Sequence, residues 1–176
     1  MFKWVDVPDN YLDYLRNSGD KRIPYKDYGT DKFKPFFGIL FTSGKFAYIT
    51  QISHPQKRHF RMKEAPDFIK IFKGKRLLCV VNLNYMFPVP LELLTEIEYA
   101  NIEKYRNFDN DDEKSQYIYL LRKELQIINT KKISEQAKEV YNNKYLYPNS
   151  LLSQRCVDFR ILEELAIEFL NDKTKQ

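Results

Sequence analysis

The stretch PFFGILFTSGKFAYITQI, residues 35–52, decides the fold. Two runs rich in aromatic and β-branched residues are each too short for a packed helix, and Thr42-Ser43-Gly44 separates them. That pattern predicts a β-hairpin. A second pair follows, FIKIF at 68–72 and RLLCVVNLN at 76–84, joined by Lys73-Gly74-Lys75. YMFPVP at 85–90 continues extended, and its two prolines, which lack the N–H a ladder needs, mark an edge or an exit from the sheet. From Leu91 the apolar spacing becomes that of helices. Residues 91–105 predict a helix or helix-turn, and Glu113–Thr130 places Tyr117, Leu120, Leu121, Leu125 and Ile128 on one face. A helix over 133–145 and a last one capped by Asp158 complete that half. At the other end, PDNYLDYLR (8–16) predicts a short helix, and 19–35 a long basic loop. Strands first and helices later make an α+β domain with a strongly curved antiparallel sheet. One domain spans 1–176, with a sheet-rich part at about 21–90 and a helical part at about 91–171.

Composition bounds the class. Hydrophobic residues make up 43% and charged residues 30% of 176, a globular balance with one sizeable core. Aromatics reach 15%, with surplus for stacking or partner contact. The longest apolar runs are too short to cross a bilayer, and an acid interrupts the N-terminal stretch where a signal peptide would be apolar. A cytoplasmic protein is expected. Cys79 lies in a strand pattern and reads as a small hydrophobe. No Cys/His spacing resembles a zinc site, so neither a structural metal nor a disulfide is expected, and no cofactor.

Charge is distributed unevenly. Residues 21–76 hold 14 Lys and Arg against 4 Asp and Glu, a net of +10, whereas the flanks are net negative. Such a block is the footprint of a phosphate-rich partner. Within it ISHPQKRHF (52–60) carries both histidines of the chain, a serine and two cations. No glycine-rich phosphate loop, GxSxG elbow or HExxH helix is present, and the four acids of the block are scattered, which argues against a two-metal nuclease. A block rich in imidazole, hydroxyl and cations but poor in carboxylates suits RNA cleavage in which the ribose 2′-hydroxyl attacks the adjacent phosphorus. That reaction needs a base, an acid for the leaving oxygen, and charge on the phosphorane. On these residues alone, a non-catalytic RNA-binding module and a protein-interaction domain stand beside the ribonuclease.

Several segments resemble the ToxN/AbiQ family, the toxins of type III toxin–antitoxin systems: YLDYLRNSGDKRIPY (11–25), KPFFGILF (34–41), ISHPQKRH (52–59), VNLNYMFPVP (81–90) and CVDFRILEE (156–164). The resemblance implies a barrel core of the MazF/Kid type decorated by helices. It also implies a metal-independent endoribonuclease that leaves a 2′,3′-cyclic phosphate. The implied partners are cellular or phage RNA as substrate and a tandem-repeat pseudoknot RNA as antitoxin. Toxin and RNA would form heteromers, the protein by itself being a candidate monomer. Carried over by position, the family tyrosine falls on Tyr28, with Tyr25 as rival, its lysine on Lys34, its hydroxyl on Ser53 and its histidine on His59. Two departures stand out: His54 replaces a second hydroxyl, and Gln56 replaces a lysine, leaving Lys57 as the nearest cation. The expected site is therefore Tyr28, Lys34, Ser53, His54, Lys57 and His59, with Lys21, Arg22, Lys32, Arg58, Arg61, Lys63, Asn82 and Asn84 as further RNA contacts.

Overall fold

A computed structural model gives the fold, and residues 2–26 and 37–173 are described. Tyr28, Lys32 and Lys34 lie outside them. The chain opens with strand β1 (Trp4–Asp6) and helix α1 (Asp9–Ser18). The hairpin β2 (Phe37–Ser43) and β3 (Phe46–Thr50) turns at Gly44, whose φ of 56° lies where only glycine sits without strain. After one residue, Gln51, comes β4 (Ile52–Ser53), then helix α2 (Lys57–Arg61). The second hairpin, β5 (Phe68–Lys73) and β6 (Arg76–Asn82), turns at Gly74 with φ 57°. Strand β7 (Phe87–Pro90) is followed by β8 (Thr95–Glu96). Four helices finish the chain: α3 (Asp111–Ile128), α4 (Ile133–Leu146), α5 (Leu151–Arg155) and α6 (Phe159–Lys173).

Among the described residues the expected closed barrel is not formed. The strands make two open antiparallel sheets, one of five strands in the order β7-β3-β2-β1-β8 and one of three in the order β4-β6-β5. The prolines explain one open end: Pro88 and Pro90 occupy half of the edge strand β7, so it has too few donors to accept a further neighbour. At the other edge β8 is two residues long. The α+β class stands. Where a helix or helix-turn is expected over 91–105, two 3₁₀ segments form, Leu91–Leu93 and Tyr99–Lys104, with β8 between them.

The β3–β7 side of the large sheet is buried on both faces, every residue of β3 and β7 being buried. Phe37 and Phe87 meet edge-to-face at 5.5 Å, and Tyr48 meets Phe159 of α6 at 6.1 Å. The buried Tyr11 hydroxyl donates to the Pro88 carbonyl at 2.7 Å, tying α1 to the edge strand. Asn110 caps α3 by accepting from the Glu113 N–H at 2.9 Å, and Asp158 accepts from Arg160 and Ile161 at the start of α6. One apolar cluster runs from Phe2 to Ala166, so both sheets and the helices share a core. Cys79 is fully buried in it.

Candidate active site

Three features fix the geometry around residues 51–61. First, the chain leaves the large sheet at Thr50 and joins the small one at Ile52, pairing Ile52 with Val81 and Ser53 with Val80. The Thr50 hydroxyl donates to the Asn82 carbonyl at 2.7 Å and pins the crossing. Second, the Gln51 amide donates to the Tyr25 carbonyl at 3.0 Å, while the Arg16 guanidinium lies 3.9 Å from the Tyr25 ring centroid. Tyr25, the rival to Tyr28, is therefore seated two residues from Ser53. Third, α2 packs on the outer face of the small sheet, with His59 5.8 Å from Phe68 ring to ring.

The two histidines are in opposite situations. His54 is exposed. His59 is buried, and its Nδ1 accepts the Gln56 N–H at 3.1 Å, the reach-back of a helix-capping residue three positions into α2. A protonated imidazole has no acceptor, so that bond requires the neutral ring. Burial first, then the charges of Arg58 and Lys70, push the His59 pKa down. His59 is built to stay neutral and to hold α2.

The cations of the segment fall on the surface: Lys57, Arg58, Arg61 and Lys63 are exposed. One further cation was not singled out from the sequence. Lys70 of β5 pairs with Val80, which pairs with Ser53, so the three side chains form one row across the sheet and point to the same face. Lys70 is 9% exposed, and its Nζ donates to the Phe60 carbonyl at 3.4 Å near the end of α2. Among the described residues no carboxylate pairs with it. The signal was present: FIKIF alternates, which sets Lys70 opposite Ile69 and Ile71.

Other expected contacts lie elsewhere. The Arg22 guanidinium is held by Asp20 at 2.6 Å and donates to the Arg155 carbonyl at 2.9 Å. Asn84 is buried, its carbonyl accepting from Val157. Lys21 is exposed, in the turn after α1. Asn82 is half-buried at the end of β6, on the same face as Phe68. Among the described residues no three His, Cys, Asp or Glu side chains converge as metal ligands.

A family model described as the toxin ToxN of type III toxin–antitoxin systems matches residues 3–167. The chain belongs to the ToxN family. No curated protein matches it. Three solved structures share the ToxN-family fold. One is a bacterial type III toxin inhibited selectively by a non-coding RNA pseudoknot, with TM-score 0.74, 21% identity, and 96% of this chain and 97% of that one covered. Another comes from a bacterial antiviral system regulated by a processed non-coding RNA, with TM-score 0.72, 22% identity, and 92% and 95% covered. A third is AbiQ, a lactococcal anti-phage endoribonuclease of a type III system, with TM-score 0.74, 16% identity, and 97% and 99% covered. Among the described residues of this ToxN-family chain, no helix is long and apolar enough to cross a membrane.

Proposed function

We propose that the chain is a metal-independent endoribonuclease toxin acting in the cytoplasm. The observation that carries this reading is the row Ser53–Val80–Lys70 beside an exposed His54 and the cations Lys57 and Arg58. In the reaction the 2′-oxygen bonds to phosphorus as the P–O5′ bond breaks, leaving a 2′,3′-cyclic phosphate and a 5′-hydroxyl. Ser53 donates a hydrogen bond to a non-bridging oxygen. Lys57, Arg58 and Lys70 offset the charge that grows on the phosphorane. The exposed imidazole of His54 takes the proton of the 2′-hydroxyl or supplies one to the leaving 5′-oxygen. His59 positions α2 rather than moving a proton. Tyr28 and Lys34, which lie outside the described residues, keep the roles implied by the family resemblance, orienting and neutralising the phosphate.

The antitoxin would be a pseudoknot RNA cut from tandem repeats by the toxin and held on the same basic surface, in a toxin–RNA heteromer. Family membership and the RNA-regulated relatives of the same fold support this. The test is incubation of purified protein with cellular RNA in excess EDTA. Fragments with cyclic-phosphate ends are expected, and RNA left whole overturns the enzyme. Ser53→Ala that binds RNA as wild type but no longer cuts it separates the enzyme from a passive RNA-binding module.

A further inference from the structure

A groove runs from His54 along α3. His54 and Phe60 face Lys75, Arg76 and Leu120 across a cavity of about 260 Å³. Arg76, Leu78 and Leu120 also line a larger cavity of about 830 Å³, so the two adjoin. The walls of the larger one are the β5–β6 turn, with Lys73 and Arg76, and the helix α3, with Tyr117, Tyr119 and Lys123. Tyr119 is 55% exposed, receives a hydrogen bond from Lys73 Nζ at 3.3 Å, and has the Lys73 and Lys123 ammonium groups 5.5 and 5.7 Å from its ring centroid. Phe60, at the His54 end, is 64% exposed. Glu113 is the acid of the lining, and its carboxylate is taken by Arg106 at 2.6 Å.

We propose that this groove holds the single-stranded RNA that flanks the scissile phosphate, a deduction that rests on the ribonuclease reading. Unpaired bases stack on the open rings of Phe60 and Tyr119, and Lys73, Lys75, Arg76 and Lys123 follow the backbone. Aromatic platforms alternating with cations suit single strands, because a duplex keeps its base faces stacked inside. An acidic protein segment would find the charges but would leave two exposed rings without planar partners.

The experiment measures binding of 2′-O-methylated, mixed-sequence single-stranded RNAs of 5 and 20 nucleotides, which cannot be cleaved. Tyr119→Ala is expected to weaken the 20-mer about tenfold, the scale of one lost base–aromatic stack, with the 5-mer unchanged. Tyr119→Phe is expected to restore affinity, which a folding defect would not. Lys73→Ala with Lys123→Ala is expected to lower the slope of log Kd against log salt by about 1.4, two phosphate contacts on a single strand. Unmodified RNA is scored for cleavage in parallel. RNA left whole by the wild type overturns the ribonuclease reading; RNA cut by the wild type, with 20-mer affinity equal in all variants, overturns the groove alone. Loss of binding to a poly-glutamate 20-mer by the same variants, with RNA unaffected, also overturns it.

Discussion

The two sheets differ in what their outward faces do. The five-stranded sheet spends both faces of its β3–β7 side on packing: β3 and β7 are buried throughout, Phe37 of β2 meets Phe87 of β7, and Tyr48 of β3 meets Phe159 of α6. The three-stranded sheet turns one face to the shared core. On the other it carries Ser53, Lys70 and Asn82 around a small buried cluster of Phe68, Leu77 and Val80, under a helix of five residues. The lesson is a division of labour. A polar row is tolerated where the sheet is small and its cover thin, because water and ligand can still reach part of it, and a fully packed sheet would have to desolvate the same groups.

Damage to the two sheets should therefore read out differently. The largest effect is expected from Phe87→Ala in the large sheet, a loss of about 3–5 kcal/mol in unfolding free energy, measured by urea denaturation. If the transition hardly moves, the large sheet is not the stabilising one. Ser53→Ala with Lys57→Ala should leave that transition in place and lower single-turnover cleavage by at least about 100-fold, the scale of one lost oxyanion donor. Equal loss of stability would erase the distinction. Lys70→Met keeps the stem and removes the charge, and should lower kcat about tenfold with a smaller change in KM, since its charge matters most when the phosphorane forms. A change in KM alone would make Lys70 a binding cation only.

The smallest effect concerns His59. Its folded pKa lies below the unfolded value of 6.5, so the unfolded chain takes up the proton first as pH falls. The stabilisation is complete above about 6.5, declines as pH drops below it, and levels off once the folded ring also protonates. Glutamine offers the same capping acceptor without titrating. His59→Gln should thus flatten the decline that begins below about pH 6.5, and an unchanged slope would remove His59 as its source.

Legibility followed element length. Both hairpins were readable because their strands span several alternations and a glycine marks each turn. The long α3 was readable from its stripe. β1, α2 and α5, of three to five residues, are shorter than the period that would reveal them. The prolines of β7 already pointed to a sheet edge, and that local reading outlasted the barrel implied by resemblance, because an edge strand that has lost half its donors is a poor partner for a further strand. Around residues 51–61 the surroundings of each side chain were not readable. Nothing in the letters QKRH says that one imidazole is spent on a helix cap while the other faces solvent, since that depends on a turn of two or three residues. Lys70 was hidden by distance, 17 positions from the serine that it shares a face with.

One consequence attaches to Gln51. It is the sole residue between the last position of β3 and the first of β4, so the direction in which the site strand leaves the large sheet is set by a single pair of backbone torsions. Its amide also carries the Tyr25 carbonyl. The position therefore works as an aiming screw. A changed backbone preference at this one position would point Ser53 and the cations that follow it along a different line, while every packed residue of β3 stays where it is.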